Sequence, residues 1–203
     1  GEDVRHLVIV RDMRIPWNSG RWTHDPVAVV EQGEDLAVTA VEGSDAWRHT
    51  SYGFVHESEH ALVAPFAVGS AVEVEFTAEF TGEFDQAGLF IQAAVDRWVK
   101  AGVEFADGVP MVGAVVTNVN SDWSVAPVPE WSGARILVRA SRANGALTIR
   151  VGPVGEPLRL VRVLPFADEW DAEAGPMICA PTRAGLTVVF HEWRVTDADG
   201  SLH

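Results

Sequence analysis

Apolar and polar positions alternate with a period of two along most of this chain, in short runs rich in Val, Ile, Leu and Phe. A sustained 3.6 period is almost nowhere seen, so strands rather than helices are expected. The clearest runs are Leu36–Val41, Ala71–Phe80, Ala87–Val95, Trp98–Phe105, Met111–Asn118, Arg135–Ser141, Leu147–Val151, Leu158–Val163 and Leu186–Val195. Stretches such as TGEFD, ADGVP, RANGA and GPVGEP separate them, and each contains residues that break a ladder. SRANGALTI is the sharpest hairpin, because Asn144 and Gly145 tolerate the positive φ angles of a tight primed turn. APVPEWSG, residues 126–133, reads as a loop rather than a domain boundary. Nine or more strands without helical crossovers predict an all-β, two-sheet antiparallel sandwich, and 203 residues suit a single domain over 1–203.

The run AGLFIQAAVDRWVKAGVEF shows how the period assigns faces. On a strand, Leu89, Ile91 and Ala93 share one face, while Gly88, Phe90 and Gln92 share the other. After a turn near Asp96 and Arg97, Val99, Ala101, Val103 and Phe105 fall on one side, with Trp98, Lys100, Gly102 and Glu104 opposite. A helix would scatter the four apolar residues and put glycine near its middle. Lys100 and Glu104 then stand about 13 Å apart at a rise of roughly 3.3 Å per residue, so they share a polar-aromatic face without forming a direct pair.

Charge changes what such a face can bind. The chain carries 29 Asp and Glu against 15 Lys and Arg, a formal net charge of −14, which repels phosphate backbones and anionic membrane surfaces. No nucleic acid and no membrane partner is therefore expected. No apolar run approaches the roughly 18 residues of a spanning helix, and GEDVRHLVIVRD has no basic segment followed by a long apolar one. The single cysteine, Cys179, excludes an internal disulfide framework and leans the expectation towards the cytoplasm.

Four segments, FDQAGLFIQ, DRWVKAGVEFADG, VVTNVNSDWS and GPMICAPTRAGLTVVFHEW, occur in this order, preceded by SDAWRHTSYG with Asp45, Trp47 and Thr50. Together they resemble the concanavalin A-like jelly-roll family named for a regulator of enolase, over about Trp17 to Val195. The resemblance implies a jelly-roll sandwich of the lectin and glucanase type, a fold that hosts binding and catalysis alike.

Trp47, Trp98 and Trp123 are flat apolar surfaces with one N–H donor each, and Asp45, Asp85, Gln86, Lys100, Glu104, Asn118, Ser121 and Asp122 offer mixed donors and acceptors. A pyranose has a C–H face that stacks on an aromatic ring and a rim of hydroxyls that need polar partners. The expectation is a lectin-like protein binding a carbohydrate or other small polar ligand through Asp45, Trp47, Gln92, Trp98, Lys100, Glu104, Asn118, Ser121, Asp122 and Trp123. The competing bland reading makes the tryptophans core and Ser-Asp-Trp-Ser a turn. No cofactor is expected, and an edge-to-edge homodimer is compatible with a sandwich.

The sequence also offers other chemistries. Glycoside hydrolysis needs two carboxyls at a defined separation, for which Glu104 with Asp122 is the candidate pair. Glu73 and Glu75 in VEVEF read as the solvent side of a strand. HESEH, residues 56–60, fits the zinc motif H-E-x-x-H, which needs a helix to set His56 and His60 on one face around Glu57. Gly53 and Pro65 flank it, and the jelly-roll pattern makes it an early hairpin with His56, Ser58 and His60 on an exposed face, so no metal is expected. Asp107, Asn120 and Asp122 are only nominal calcium ligands. Arg135, Arg139 and Arg150 are either solvated strand positions or partners for a carboxylated sugar, and Cys179 reads as a buried inert thiol.

Overall fold

The computed structural model describes residues 12–203. Seventeen strands follow in order: β1 (Met13–Arg14), β2 (Arg21–Trp22), β3 (Ala28–Gln32), β4 (Asp35–Thr39), β5 (Ala46–Arg48), β6 (Val55–Glu57), β7 (His60–Pro65), β8 (Ser70–Ala78), β9 (Gln86–Ala94), β10 (Arg97–Ala106), β11 (Val109–Asn118), β12 (Asn120–Pro127), β13 (Ile136–Ala143), β14 (Ala146–Pro153), β15 (Arg159–Pro165), β16 (Glu173–Cys179) and β17 (Thr187–Asp197). The only helical pieces among the described residues are two short 3-10 turns, Trp17–Ser19 and Pro129–Trp131.

The strands form two large antiparallel sheets. One runs β15-β14-β13-β8-β17-β4-β3, with β1 added beside β17; the other runs β12-β11-β10-β9-β16-β7-β2. Each of the nine strands expected from the sequence is present, with ends shifted by a residue or two. The β13–β14 hairpin turns at Asn144 and Gly145 with φ of 56° and 69°, the positive pair that a primed turn requires. β12 was not expected as a strand. It carries the Ser-Asp-Trp-Ser segment through to Pro127, and only the 3-10 turn after it is loop-like.

Between the sheets lies the main core. Val72, Val74, Phe76, Val138, Ile149 and Phe190 from the first sheet meet Leu89, Ile91, Val99, Ala101 and Val103 from the second, all 4 % exposed or less. These are the faces that alternation assigned. On the first sheet's outer side, Glu73 pairs with Arg139 and Arg194, and Glu75 with Arg135 and Arg194. Arg150 and Arg139 both reach Asp199. These arginines are satisfied within the protein.

The second sheet is buried on its outer face too, in part. The hairpin β5–β6 forms its own two-stranded sheet and lies over Phe90, Trp98, Val115, Met177 and Cys179 through Trp47. Three bonds pin it to the β11–β12 turn: Arg48 N–H to Ser121 Oγ at 2.9 Å, Arg48 Nε to Val119 O at 2.9 Å, and Thr50 Oγ1 to Ser121 O at 2.5 Å. A row of glycines, Gly88, Gly102 and Gly113, crosses β9, β10 and β11 in register. A Cβ at Gly102 would stand 2.3 Å from the Ala87 carbonyl oxygen, and its φ of +150° disfavours other residues. Gly102, which interrupts β10's alternation and argues against a helix, is thus also what lets the neighbouring backbone approach.

Candidate functional site

Alternation puts Lys100 and Glu104 on the outer face of β10, and the hairpin above them converts that face into a pocket of about 250 Å³. Lys100, Glu104, Gln86 and Asp45 form its polar floor. The Lys100 ammonium is 3.0 Å from Asp45 Oδ1 and 2.8 Å from Gln86 Oε1, and Gln86 Nε2 donates to Asp45 Oδ1 at 3.3 Å. Asp45 Oδ1 also accepts the Ala46 N–H at 2.8 Å. Burial pulls the Lys100 ammonium towards deprotonation, but the Asp45 carboxylate and further anionic neighbours outweigh it and leave its pKa raised. Lys100 is therefore a fixed charge, with one N–H beyond its two acceptors.

Glu104 behaves differently. Burial pushes its carboxyl up to about 7, against the opposing pull of Lys100 and the Trp123 indole and with added repulsion from Asp45. Among the described residues no cation lies within ion-pair distance of Glu104. It is a carboxyl poised between donor and acceptor near neutral pH.

Aromatic rings make the walls. Trp47 meets Tyr52 edge-on at 5.6 Å and 80°, and Trp123 edge-on at 6.2 Å and 86°. Tyr52 stacks on Phe54 at 5.3 Å, and Phe54 meets the His56 ring at 4.1 Å with a 52° tilt. Phe84 and Pro181 complete the lining, with Val115 beneath. Phe84 is held with φ of 66° in a loop organised by Asp85. That carboxylate is fully buried, accepts the Thr81 and Gly82 N–H groups, and pairs with Arg183 at 2.7 Å. Asp85 thus positions the pocket without lining it.

Of the ten residues proposed from the sequence, Asp45, Trp47, Lys100, Glu104 and Trp123 come together in this pocket. The other five do not join them. Trp98 is buried under the floor, 2 % exposed and stacked on Phe90 at 5.5 Å, so no ligand can reach it. Ser121 is consumed in anchoring the hairpin and in a 2.7 Å bond with Thr117. Asn118 is exposed at the β11–β12 turn. Gln92 lines a separate open depression with Trp170 and Glu173. Asp122 pairs with Arg162 at 2.8 Å; it opposes Val116, one position off the Trp123–Val115–Lys100 row, and so faces the other side of the sheet. Glu104 and Asp122 therefore cannot act as an acid and base pair.

Tyr52, Phe54, His56, Phe84, Val115 and Pro181 were missed. Tyr52, Phe54 and His56 alternate in SYGFVH, a visible signal of one shared face, but nothing local says that this face folds over β10 and β12. The sequence offers His56 as a zinc ligand or as a position on an exposed hairpin face, not as part of a pocket wall. The segment around it is two strands, β6 and β7, not a helix. His60, expected on an exposed face, is instead 1 % exposed: its Nδ1 donates to His24 O at 2.9 Å and its Nε2 accepts the Val41 N–H at 3.1 Å. A backbone that sends His56 into the pocket and His60 under Val41 cannot bring both to one metal. Among the described residues no group of three or more His, Cys, Asp and Glu side chains is arranged to hold a metal ion. Asp107 and Asn120 lie at opposite ends of the β10–β11 hairpin. Cys179 is buried, with its thiol pushed well up by burial.

Residues 22–198 match the family described as a protein of unknown function, DUF1349. The chain belongs to the DUF1349 family. A DUF1349-wide similarity extends to "Regulation of enolase protein 1" of Saccharomyces cerevisiae, 34 % identical over 187 residues that cover 92 % of this chain and 94 % of that one. The crystal structure of a functionally unknown protein from Saccharomyces cerevisiae superposes with a TM-score of 0.85 at 32 % identity, over 92 % of this chain and 100 % of that chain. More distant structures share the fold alone. A carbohydrate binding module, CBM66 from Bacillus subtilis, has a TM-score of 0.57 at 11 % identity, covering 88 % of this chain and 96 % of that one. A xylan beta-1,4-xylosidase from Bacillus halodurans has 0.63 at 12 %, covering 84 % of this chain and 38 % of that one. The DUF1349 chain is thus a two-sheet antiparallel jelly-roll sandwich. Among the described residues no helix is long and apolar enough to cross a membrane.

Proposed function

We propose that this protein binds a carbohydrate in the pocket between the β5–β6 hairpin and the outer face of β9–β12. One observation carries the reading: aromatic rings set at right angles, Trp47 against Tyr52 and Trp123, stand over a polar floor of Lys100, Asp45, Gln86 and Glu104. Rings of this kind stack on the C–H face of a sugar, and a floor with donors and acceptors already fixed orients its hydroxyls. Likeness of fold to a carbohydrate binding module is consistent with this and carries no more than fold. A glycan array with the wild-type protein, followed by titration calorimetry of Trp123→Ala, tests it. Saturable binding lost in the folded variant supports the reading, and an array without signal ends it.

A second reading is favoured by one group. A carboxyl raised to about 7 suits general acid–base work at neutral pH, so Glu104 is the acid of a carbohydrate-active enzyme if there is turnover. Asp45 is the other carboxylate in the pocket, though it is bound by Lys100. Product formation from bound glycans that disappears in Glu104→Gln while binding persists separates this reading from the first.

A further inference from the structure

The shape of the pocket narrows the class of ligand, on the assumption that the carbohydrate reading holds. A groove for the interior of a glycan chain must be open at two opposite ends, and this site is walled along the strand and across it. Along β10, Trp47 closes the side of Trp98, against which it packs. Phe84 closes the side of Glu104, because its N–H donates to Phe105 O at 2.6 Å. Across the strands, Trp123 on β12 stands on one flank and Pro181, after β16, on the other.

The hairpin wall is fixed. Besides the three bonds to the β11–β12 turn, Trp47 Nε1 donates to Thr50 O at 3.0 Å inside the hairpin, and Asp45 ties its base to Lys100. The volume of about 250 Å³ is below the roughly 300–1,000 Å³ of sites that enclose drug-sized ligands. One sugar ring fills such a space, and the next unit of a chain must already lie outside.

We infer that the pocket takes one terminal sugar unit, entered end-on, and rejects the same unit in the interior of a chain. The rim rings Tyr52 and Phe54, 54 % and 39 % exposed, then act as the barrier to passage through the site.

The test uses the intact protein on an array carrying glucose, xylose, arabinose, galactose, mannose and fructose units, each at chain ends in some spots and only inside chains in others. Cyclomaltohexaose beside linear maltohexaose is one such pair, since the ring has no end. The expected result is that every bound spot shares one terminal residue, that interior-only spots bind at least about tenfold more weakly, and that the free monosaccharide competes. Equal binding of interior and terminal spots overturns the inference while leaving carbohydrate binding standing. An array with no signal removes both. Tyr52→Ala and Phe54→Ala, with folding checked by circular dichroism, are expected to narrow the terminal-over-interior preference at least threefold. An unchanged preference refutes the barrier.

Discussion

The Lys100 ammonium on β10 sits 3.0 Å from Asp45 Oδ1 in the turn before β5, a contact across 55 positions of chain that ties the hairpin's base to the sheet it covers. Both side chains are mostly shielded, at 7 % and 18 % exposure. Removing one partner of such a pair leaves the other charge stranded, which is more damaging than removing both.

Lys100→Met is accordingly expected to lower stability by about 3 kcal/mol, and the double variant Lys100→Met, Asp45→Asn by less than the single one. Urea unfolding of the four proteins in the cycle measures this. A loss in the double variant equal to the sum of the two single losses would show that the pair is not coupled. Lys100 substitutions also perturb the fold, so Trp123 is the better site at which to probe binding.

Glu104 gives the fold a pH dependence of definite sign. Its carboxyl titrates at 4.5 ordinarily and near 7 here, chiefly through burial. Between those values the folded protein holds a proton that the unfolded chain has released, so stability falls as pH rises from about 4.5 to 7 and is level above. The loss is on the order of 2 kcal/mol after allowance for partial exposure. Glu104→Gln is expected to lack this component. Unfolding at pH 5 and pH 8 for both proteins gives the comparison, and an identical pH slope in the two would refute the assignment.

Trp47 and Trp123 touch each other yet are expected to differ. Trp47 is 8 % exposed and packs on Phe90 and Trp98, while Trp123 is 36 % exposed at the rim. Trp47→Ala should cost about 3–5 kcal/mol of stability. Trp123→Ala should cost about 1 kcal/mol while weakening sugar binding at least tenfold. Calorimetric melting and binding titration separate the two effects; equal destabilisation by both substitutions would contradict it.

His56 and His60 offer a parallel contrast. His60→Ala strands the Val41 N–H and the His24 carbonyl, at an expected cost of about 2–4 kcal/mol. His56→Ala, at the pocket wall, should change stability by less than about 1 kcal/mol. Zinc should not raise the melting temperature of the wild-type protein. A zinc-dependent rise lost in both variants would restore the metal reading that the strand geometry opposes.

Much of this was legible along the chain, and the reason is local. Period-two alternation fixed the strands and told Val99, Ala101 and Val103, which face the core, from Trp98, Lys100 and Glu104, which do not, because a pleat sends neighbours to opposite sides. Asn144-Gly145 announced its turn for the same reason. Alternation cannot say what covers the second face. Trp98 and Lys100 share that face, yet Trp98 is sealed under Trp47 while Lys100 borders the pocket, a difference made by where a hairpin some fifty residues upstream comes to rest. That docking also recruited Tyr52, Phe54 and His56 and brought Asp45 to Lys100, while the β11–β12 register turned Asp122 away from Glu104. Sequence alone determined the two-sided strands and their polar-aromatic face. The tertiary structure decided that part of this face is core and part is a closed pocket, since desolvation and enclosure depend on contacts between segments distant in the chain.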